Sequence, residues 1–369
     1  MKKMFCLTLV AFTMACVNSA FAFAKYVDIT TTYTGGDVTD FPVLVKITTT
    51  TPTGFYSDVK NAGADLKFTD ANGNGDYPYE IDTWNVSGDS YIWVKLPKLS
   101  TGMTFRMYYG DEEQTAQTTK PTDVWTGYDL VCHVSGNAND SATPSRGGSL
   151  NPSGTTKDTG IVGKTHGVAV NNVGAAMIND LYYDGTTGEL PDGQFSYSFW
   201  FRANGAFDSW LSLVGPRNGA DVDAWGIRTQ NPYTMLEVRT VKDNNYLKVS
   251  NCDYTIGAWH KIDVAMNDAA VSFYIDGVSV GSATLGGKSH RIWVKSMGWG
   301  GTCGSGTFET SNASCPVDVD ECRIFSTVAD AARVAADYQT VANVATFLSF
   351  SDPHGEVVVE VLPQGVIFK

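Results

Sequence analysis

Residues 257–281 read GAWHKIDVAMNDAAVSFYIDGVSVG, and their pattern decides how the larger part of the chain folds. From Trp259 to Met266 apolar side chains return at alternate positions, with Ile262, Val264 and Met266 on one side. A period of two belongs to a strand with one buried face, whereas a helix would need apolar spacings of three and four. Val271, Phe273 and Ile275 repeat the pattern. Asp276-Gly277 follows, a pair that tolerates the left-handed backbone of a two-residue hairpin, and Val278-Ser279-Val280 carries the chain back. The stretch is two antiparallel strands preceded by a third.

Outward from this hairpin the same grammar continues. FSYSFWFRA (195–203), WGIRT (225–229), TMLEVRTV (234–241) and YLKVS (246–250) are strand-like, and upstream lie FPVLVKI (41–47), DLKFTD (65–70), YIWVKL (91–96) and FRMYYG (105–110). In YIWVKL, Ile92, Val94 and Leu96 share one face while Tyr91, Trp93 and Lys95 share the other. Glycine, asparagine, aspartate and proline punctuate the gaps. Many short strands with turn chemistry between them predict an all-β protein built as sandwiches or jelly rolls. A polar stretch at 111–123 reads as a linker. The one convincing helix covers 327–341, and a tail follows with a further strand after Pro353.

The chain of 369 residues opens MKKMFCLTLVAFTMACVNSAFAFAK. Two lysines, an apolar run too short to span a bilayer and a small-x-small end make a secretory signal over 1–22, with Phe23 or Lys25 as the mature start. An extracellular, cell-surface or periplasmic location is therefore expected. Lys2 and Lys3 leave with the signal, so the 26 basic residues become 24 against 39 acidic ones, a balance of −15. Such a charge argues against nucleic acid or an anionic membrane as partner. Removing Cys6 and Cys16 leaves five cysteines, none in a CxxC, so a structural zinc site is not expected. In an oxidising compartment, Cys303 with Cys315 is the favoured disulfide, stapling a glycine-rich loop, and Cys132 with Cys322 is a second pairing.

FSYSFWFRA, WGIRT, GAWHKIDVAMNDAAVSFYIDGVSVG and VDECRIFSTVADAARVAADY, in that order, resemble the LamG-like, concanavalin A-like jelly rolls. IVGKTHGVAV (161–170) is similar to the strand that precedes the first sheet in that family. The likeness covers residues 124–347. DFPVLVKI, ADLKFTDANG, YPYEIDTWN, YIWVKLPKLSTG and MYYG resemble a small bacterial β-domain of unknown function, over 25–112, that commonly precedes such a jelly roll in exported proteins. These resemblances imply a small β-sandwich-like domain (25–112), a linker (113–123), a jelly roll (124–347) and a C-terminal tail (348–369). They imply recognition, of carbohydrate or a glycosylated surface, rather than a particular reaction.

The glucanase jelly rolls carry E-x-D-x-x-E on one strand, because a retaining mechanism needs two carboxylates about 5 Å apart. Glu80 and Asp82 fit, but Asn85 holds the third position and the motif lies outside the jelly-roll likeness, so a strand after a hairpin is expected there. Gly277-Val278-Ser279-Val280-Gly281 spells G-x-S-x-G, yet a nucleophile elbow needs a strand, a sharp turn and a helix. Ser279 instead belongs to a returning strand. No catalytic residues are assigned, and a polysaccharide hydrolase with an unfamiliar site stays as an alternative, as does a purely structural or adhesive protein.

For metal, DANGNGD places Asp70, Asn72, Asn74 and Asp76 at alternate positions around Gly75, an arrangement that can converge on calcium. Ile81 stands where a calcium loop needs its bidentate glutamate, and the same residues suit a hairpin turn. GADVDAW (219–225) is a weaker second candidate. For sugar, aromatic faces and nearby hydrogen-bonding groups are needed. Trp210 and Trp299, in loop-like surroundings, are the preferred stacking residues, with Trp225, Arg217 and Asp223 beside them, although Trp225 also suits a core role.

Overall fold

The computed structural model describes residues 20–133, 138–144, 147–150, 155–158, 167–170, 178–179, 194–203, 211–215, 225–230, 235–240, 246–249, 254–268, 270–284, 296–297, 302–304, 307–309, 317–355, 357–362 and 365–368. Side chains are described over 23–133, 139–144, 194–202, 254–268, 270–284 and 320–355. Expectations for residues 1–19 lie outside this set. Among the described residues no helix is long and apolar enough to cross a membrane.

The first domain is a two-layer sandwich. Its strands are β1 (Lys25–Thr31), β2 (Val38–Ile47), β3 (Lys67–Asp70), β4 (Tyr79–Thr83), β5 (Ser90–Leu99) and β6 (Thr104–Tyr109). One sheet has the order β2-β5-β4, and β1, β6 and β3 lie side by side in the other. Alternation decides the facing. Val43, Val45, Ile92, Val94 and Leu96 meet Val27, Ile29, Phe105 and Met107 in one core. Leu44, Tyr91 and Trp93, on the opposite face of the same sheet, are equally buried but join a second core with Trp125, Val131, Trp200 and Val341. A sheet buried on both faces is a layer between two domains, and this one backs onto the jelly roll.

The jelly roll supplies β7 (Tyr128–Cys132), β8 (Gln194–Ala203), β9 (Trp259–Asn267), β10 (Ala270–Ile275), β11 (Val278–Thr284) and β12 (Val317–Phe325). The run β12-β8-β9-β10-β11 forms most of one large sheet, and β7 pairs with the second half of β12. A second eight-stranded sheet holds 225–230, 235–240 and 246–249 among others. The hairpin read at Asp276-Gly277 forms, with both residues in the left-handed region (φ 51 and 77), as a type I′ turn requires. The fold is all-β, in agreement with the reading from sequence.

The helix Ala331–Ala342 begins at an N-cap, Asp330, whose side chain accepts a hydrogen bond from the Arg333 N–H. It wedges between the domains. Ala336 enters the first core and Val341 the second, and Thr340 Oγ1 accepts from the Leu44 N–H at 2.9 Å. The chain then returns to the first domain, where β13 (Leu348–Phe350) pairs with β1 and completes a four-stranded sheet, β13-β1-β6-β3. Further strands at 357–362 and 365–368 form a hairpin in the stretch read as a tail, and 357–360 pairs with 20–23 beside the expected cleavage position. The stretch read as a linker is laid against the first domain, with Gln114 buried and its Nε2 donating to the Ala64 carbonyl at 2.8 Å.

Candidate functional site

Where the domains meet, five elements deliver ionisable side chains into a buried place. Glu80 comes from β4, where its register partner is Trp93; it therefore projects from the face turned to the jelly roll. Asp82 lies at an irregularity in the same pairing, between Ile81 and Thr83. His133 follows directly on β7. Glu321 and Arg323 come from β12, where the partners of Ser198 and Trp200 are Arg323 and Asp320. Glu321 and Cys322 thus stand opposite the single Phe199, a bulge. Glu321 has φ 49, a backbone state that non-glycine residues adopt only when the surroundings enforce it.

The contacts form a chain of alternating charge. His133 Nδ1 lies 3.0 Å from each oxygen of Glu321, and His133 Nε2 lies 3.4 Å from Glu80 Oε2. Glu80 also accepts from Ser141 Oγ at 2.7 Å and from the indole N–H of Trp125. On the other side, Arg323 reaches Glu321 Oε2 and Asp337 Oδ1, both at 2.6 Å. Lys261 Nζ contacts Asp337 Oδ2 at 2.9 Å and also Asp263. The guanidinium of Arg323 lies over the rings of Trp93 and Trp125, at 4.4 and 5.1 Å from their centroids, and His133 stacks on Trp93 at 5.8 Å. His133 is only 6% exposed and Glu321 1%.

Protonation follows from this packing. Burial by itself would strip the proton from His133, but Glu321 and Asp82 more than reverse that and raise it to about 10. Burial would raise Glu80; the contacts from His133, Trp125 and Ser141 overcome it and hold the carboxyl below its usual range. Asp263, with Lys261 opposing, is still pushed up to about 6 by burial. Near neutrality Glu80 and Asp337 are therefore negative, and His133, Arg323 and Lys261 positive. Each charge is neutralised by its neighbours, the condition under which burying ions is tolerated.

Asp82, His133 and Glu321 place potential ligand atoms within 4.8 Å of one another, a set of types that suits zinc. The fit is poor, because both oxygens of Glu321 already face His133 Nδ1 and one of them also binds Arg323. A divalent ion there would lie against a guanidinium. Nor are Glu80 and Glu321 arranged as an open carboxylate pair on which a polymer could lie. The contacts of this site tie the two domains together.

The structure locates the other residues singled out from sequence as follows. Asp70 caps its own turn. Its Oδ1 accepts from the N–H groups of Asn72 and Asn74, both at 2.8 Å, and its Oδ2 accepts from the Asn74 side-chain amide at 3.2 Å. Although burial opposes it, these bonds hold the Asp70 carboxyl below its usual pKa range. Gly73 and Gly75 take the left-handed conformations the turn needs (φ 85 and 81), and Asp76 accepts from Thr118 Oγ1 at 3.2 Å. Ser279 sits in β11 opposite Tyr274, in a hairpin. Trp210, Arg217, Asp223, Trp299 and Cys315 lie outside the described residues, and for Trp225 and Cys303 the backbone alone is described, in strands paired to Thr240 and Phe308.

With the geometry in place, comparison with known families bears on both domains. Residues 164–335 match the family described as the concanavalin A-like lectin/glucanases superfamily. The larger domain is a concanavalin A-like jelly roll. Residues 62–131 match a domain of unknown function (DUF2341), whose match thus runs through Trp125 into the first strand of the jelly roll. No curated protein matches the chain. Similar solved structures include the binding domain of Paraclostridial Mosquitocidal Protein 1, at 13% identity, TM-score 0.43, over 58% of this chain and 52% of that one. Another is domain 4 of an extracellular arabinanase from Geobacillus stearothermophilus, determined with arabinotriose, at 15% identity, TM-score 0.39, over 57% of this chain and 97% of that one. A sialidase from Trypanosoma rangeli aligns at 12% identity, TM-score 0.39, over 62% of this chain and 34% of that one. This chain spans about half the length of the first of these.

Proposed function

We propose that this is an exported recognition protein without catalytic activity, whose jelly roll binds carbohydrate or a glycosylated surface. The observation that carries the reading is the concanavalin A-like jelly roll itself, a superfamily of lectins and glucanases. The non-enzymatic part is supported by the state of Glu80 and Glu321, which are tied to His133, Trp125 and Arg323 beneath the surface. Binding is assigned to Trp210 and Trp299, which would stack on sugar faces, with Trp225, Arg217 and Asp223 near in sequence to supply further contacts. Calcium is a candidate cofactor at 219–225; at 70–76 the Asp70 oxygens are already taken by the turn's own N–H groups.

The test is a glycan array run on the mature protein with calcium and again with chelator, followed by Trp210→Ala and Trp299→Ala. Binding that both substitutions weaken tenfold or more, without loss of folding, supports the reading. Full binding by both variants removes the assigned site, and turnover of any glycan removes the non-enzymatic reading. A second reading is favoured by the buried ion chain across the domain boundary, which makes the two domains one stiff unit suited to a structural or adhesive surface protein. An empty array together with specific protein–protein association would select it.

A further inference from the structure

The strand pair that presents His133 and Glu321 also carries two cysteines, each one residue away from them. Cys132 ends β7, Cys322 lies in β12, and the two are register partners across the antiparallel pair. Directly opposed residues project to the same face with Cβ atoms about 4.5–5.5 Å apart, close to the separation a disulfide bridges with a small adjustment. Both residues are fully buried. Burial, and after it the neighbouring Cys132, push the Cys322 thiol well above its ordinary range. Among the described residues the Cys322 sulfur faces a distant acceptor, the Asp320 carbonyl at 4.0 Å.

We propose that Cys132 and Cys322 form a cross-strand disulfide that locks the first strand of the jelly roll to its closing strand. The proposal rests on the export reading, because such bonds persist in oxidising compartments. A cysteine thiolate attacks one sulfur of a disulfide-bearing oxidant, either a thiol–disulfide oxidase or oxidised glutathione, and expels the other as a thiolate. The second cysteine's thiolate then displaces the oxidant from the mixed disulfide. Two protons leave the cysteines, and the oxidant takes up two electrons as its own bond becomes two thiols. Since neither sulfur is reachable in the folded chain, the bond forms as the strands assemble, and reductant reaches it only on unfolding. It closes nearly the whole jelly roll into one loop, the case in which restriction of the unfolded chain is greatest.

The experiment is to express the full chain in cells with an oxidising export compartment, alkylate thiols under denaturing conditions, digest without reduction and map the peptides. The expected result is a linked pair joining the Cys132 and Cys322 peptides in most chains. In Cys132→Ala, Cys322 becomes alkylated. Reduction under unfolding conditions should lower the Tm of the wild type by about 5 °C or more, with no matching loss in the Cys132→Ala/Cys322→Ala double variant. Alkylation of both cysteines in exported wild type, or linkage of either to Cys252, Cys303 or Cys315, overturns the proposal. If the chain stays unprocessed inside the cell, the export reading fails instead. The denatured, reduced chain refolded with oxidised glutathione then decides the pairing alone, and alkylated Cys132 and Cys322 in that sample overturn it.

Discussion

A histidine as buried as His133 ordinarily sheds its proton, because a lone cation in a dry site is expensive. Here carboxylates reverse the balance and lift it to about 10. The folded chain holds the proton more tightly than the unfolded chain, where histidine titrates near 6.5. The stabilisation is therefore complete below about 6.5 and is lost as pH rises toward 10. Removing one member of a buried pair costs roughly 3 kcal/mol or more. His133→Gln should be less stable than wild type by about that amount at pH 6, with the gap closing as pH approaches 10 in a series of urea denaturations. A constant gap would mean that His133 is neutral in the folded chain. Glu80 has the opposite sign. Its carboxyl is held low, so its contribution is present above its unfolded value of about 4.3 and disappears as pH falls below it. Glu80→Gln should flatten the acid limb of the wild-type stability curve.

At the level of elements, two turns make separate demands. Gly277 has φ 77, and a Cβ there would lie 3.0 Å from the Tyr338 Cβ and 3.3 Å from the Ala335 Cα. The tip of the β10–β11 hairpin thus rests on the interdomain helix. Gly277→Ala should destabilise by about 1–3 kcal/mol through backbone strain and crowding together; a neutral outcome in denaturant would show that the tip does not pack there. In the turn after β3, Asp70 holds two backbone N–H groups. Asp70→Ala should remove about 1 kcal/mol, and calcium should leave the Tm of the wild type unchanged within a degree. A calcium-dependent rise in Tm that Asp70→Ala abolishes would make this turn a metal site.

Across the whole molecule the two domains are sewn together. The β2-β5-β4 sheet is buried on both faces, the helix Ala331–Ala342 enters both cores, and β13 carries the chain back to β1. One cooperative calorimetric transition is expected for the full chain. A chain ending at residue 347 exposes the edge of β1 and should lose several degrees in Tm, including in the signals of the first domain. Two well-separated transitions in the intact protein would show that the boundary is loose.

Period-two alternation, Asp276-Gly277 and the punctuation between runs determined the strands, the hairpin and the all-β class, because these depend on neighbours a few residues apart. The order of FSYSFWFRA, GAWHKIDVAM and VDECRIF was enough to read the jelly roll. Glu80 and Asp82 were legible as carboxylates on one strand, but not what they face. Their partners His133, Glu321 and Arg323 stand 53, 241 and 243 positions beyond Glu80, and no local pattern links them. Lys261 and Asp263 two apart in a strand, and the charges in DVDECR, were the available hints of a polar strand face turned inward. Which charge meets which, and that β13 belongs to the first domain, only the tertiary structure decided. Burial raises the energy of every unpaired ion, so the identity of the partner, brought by the fold from far along the chain, sets whether each charge is tolerated.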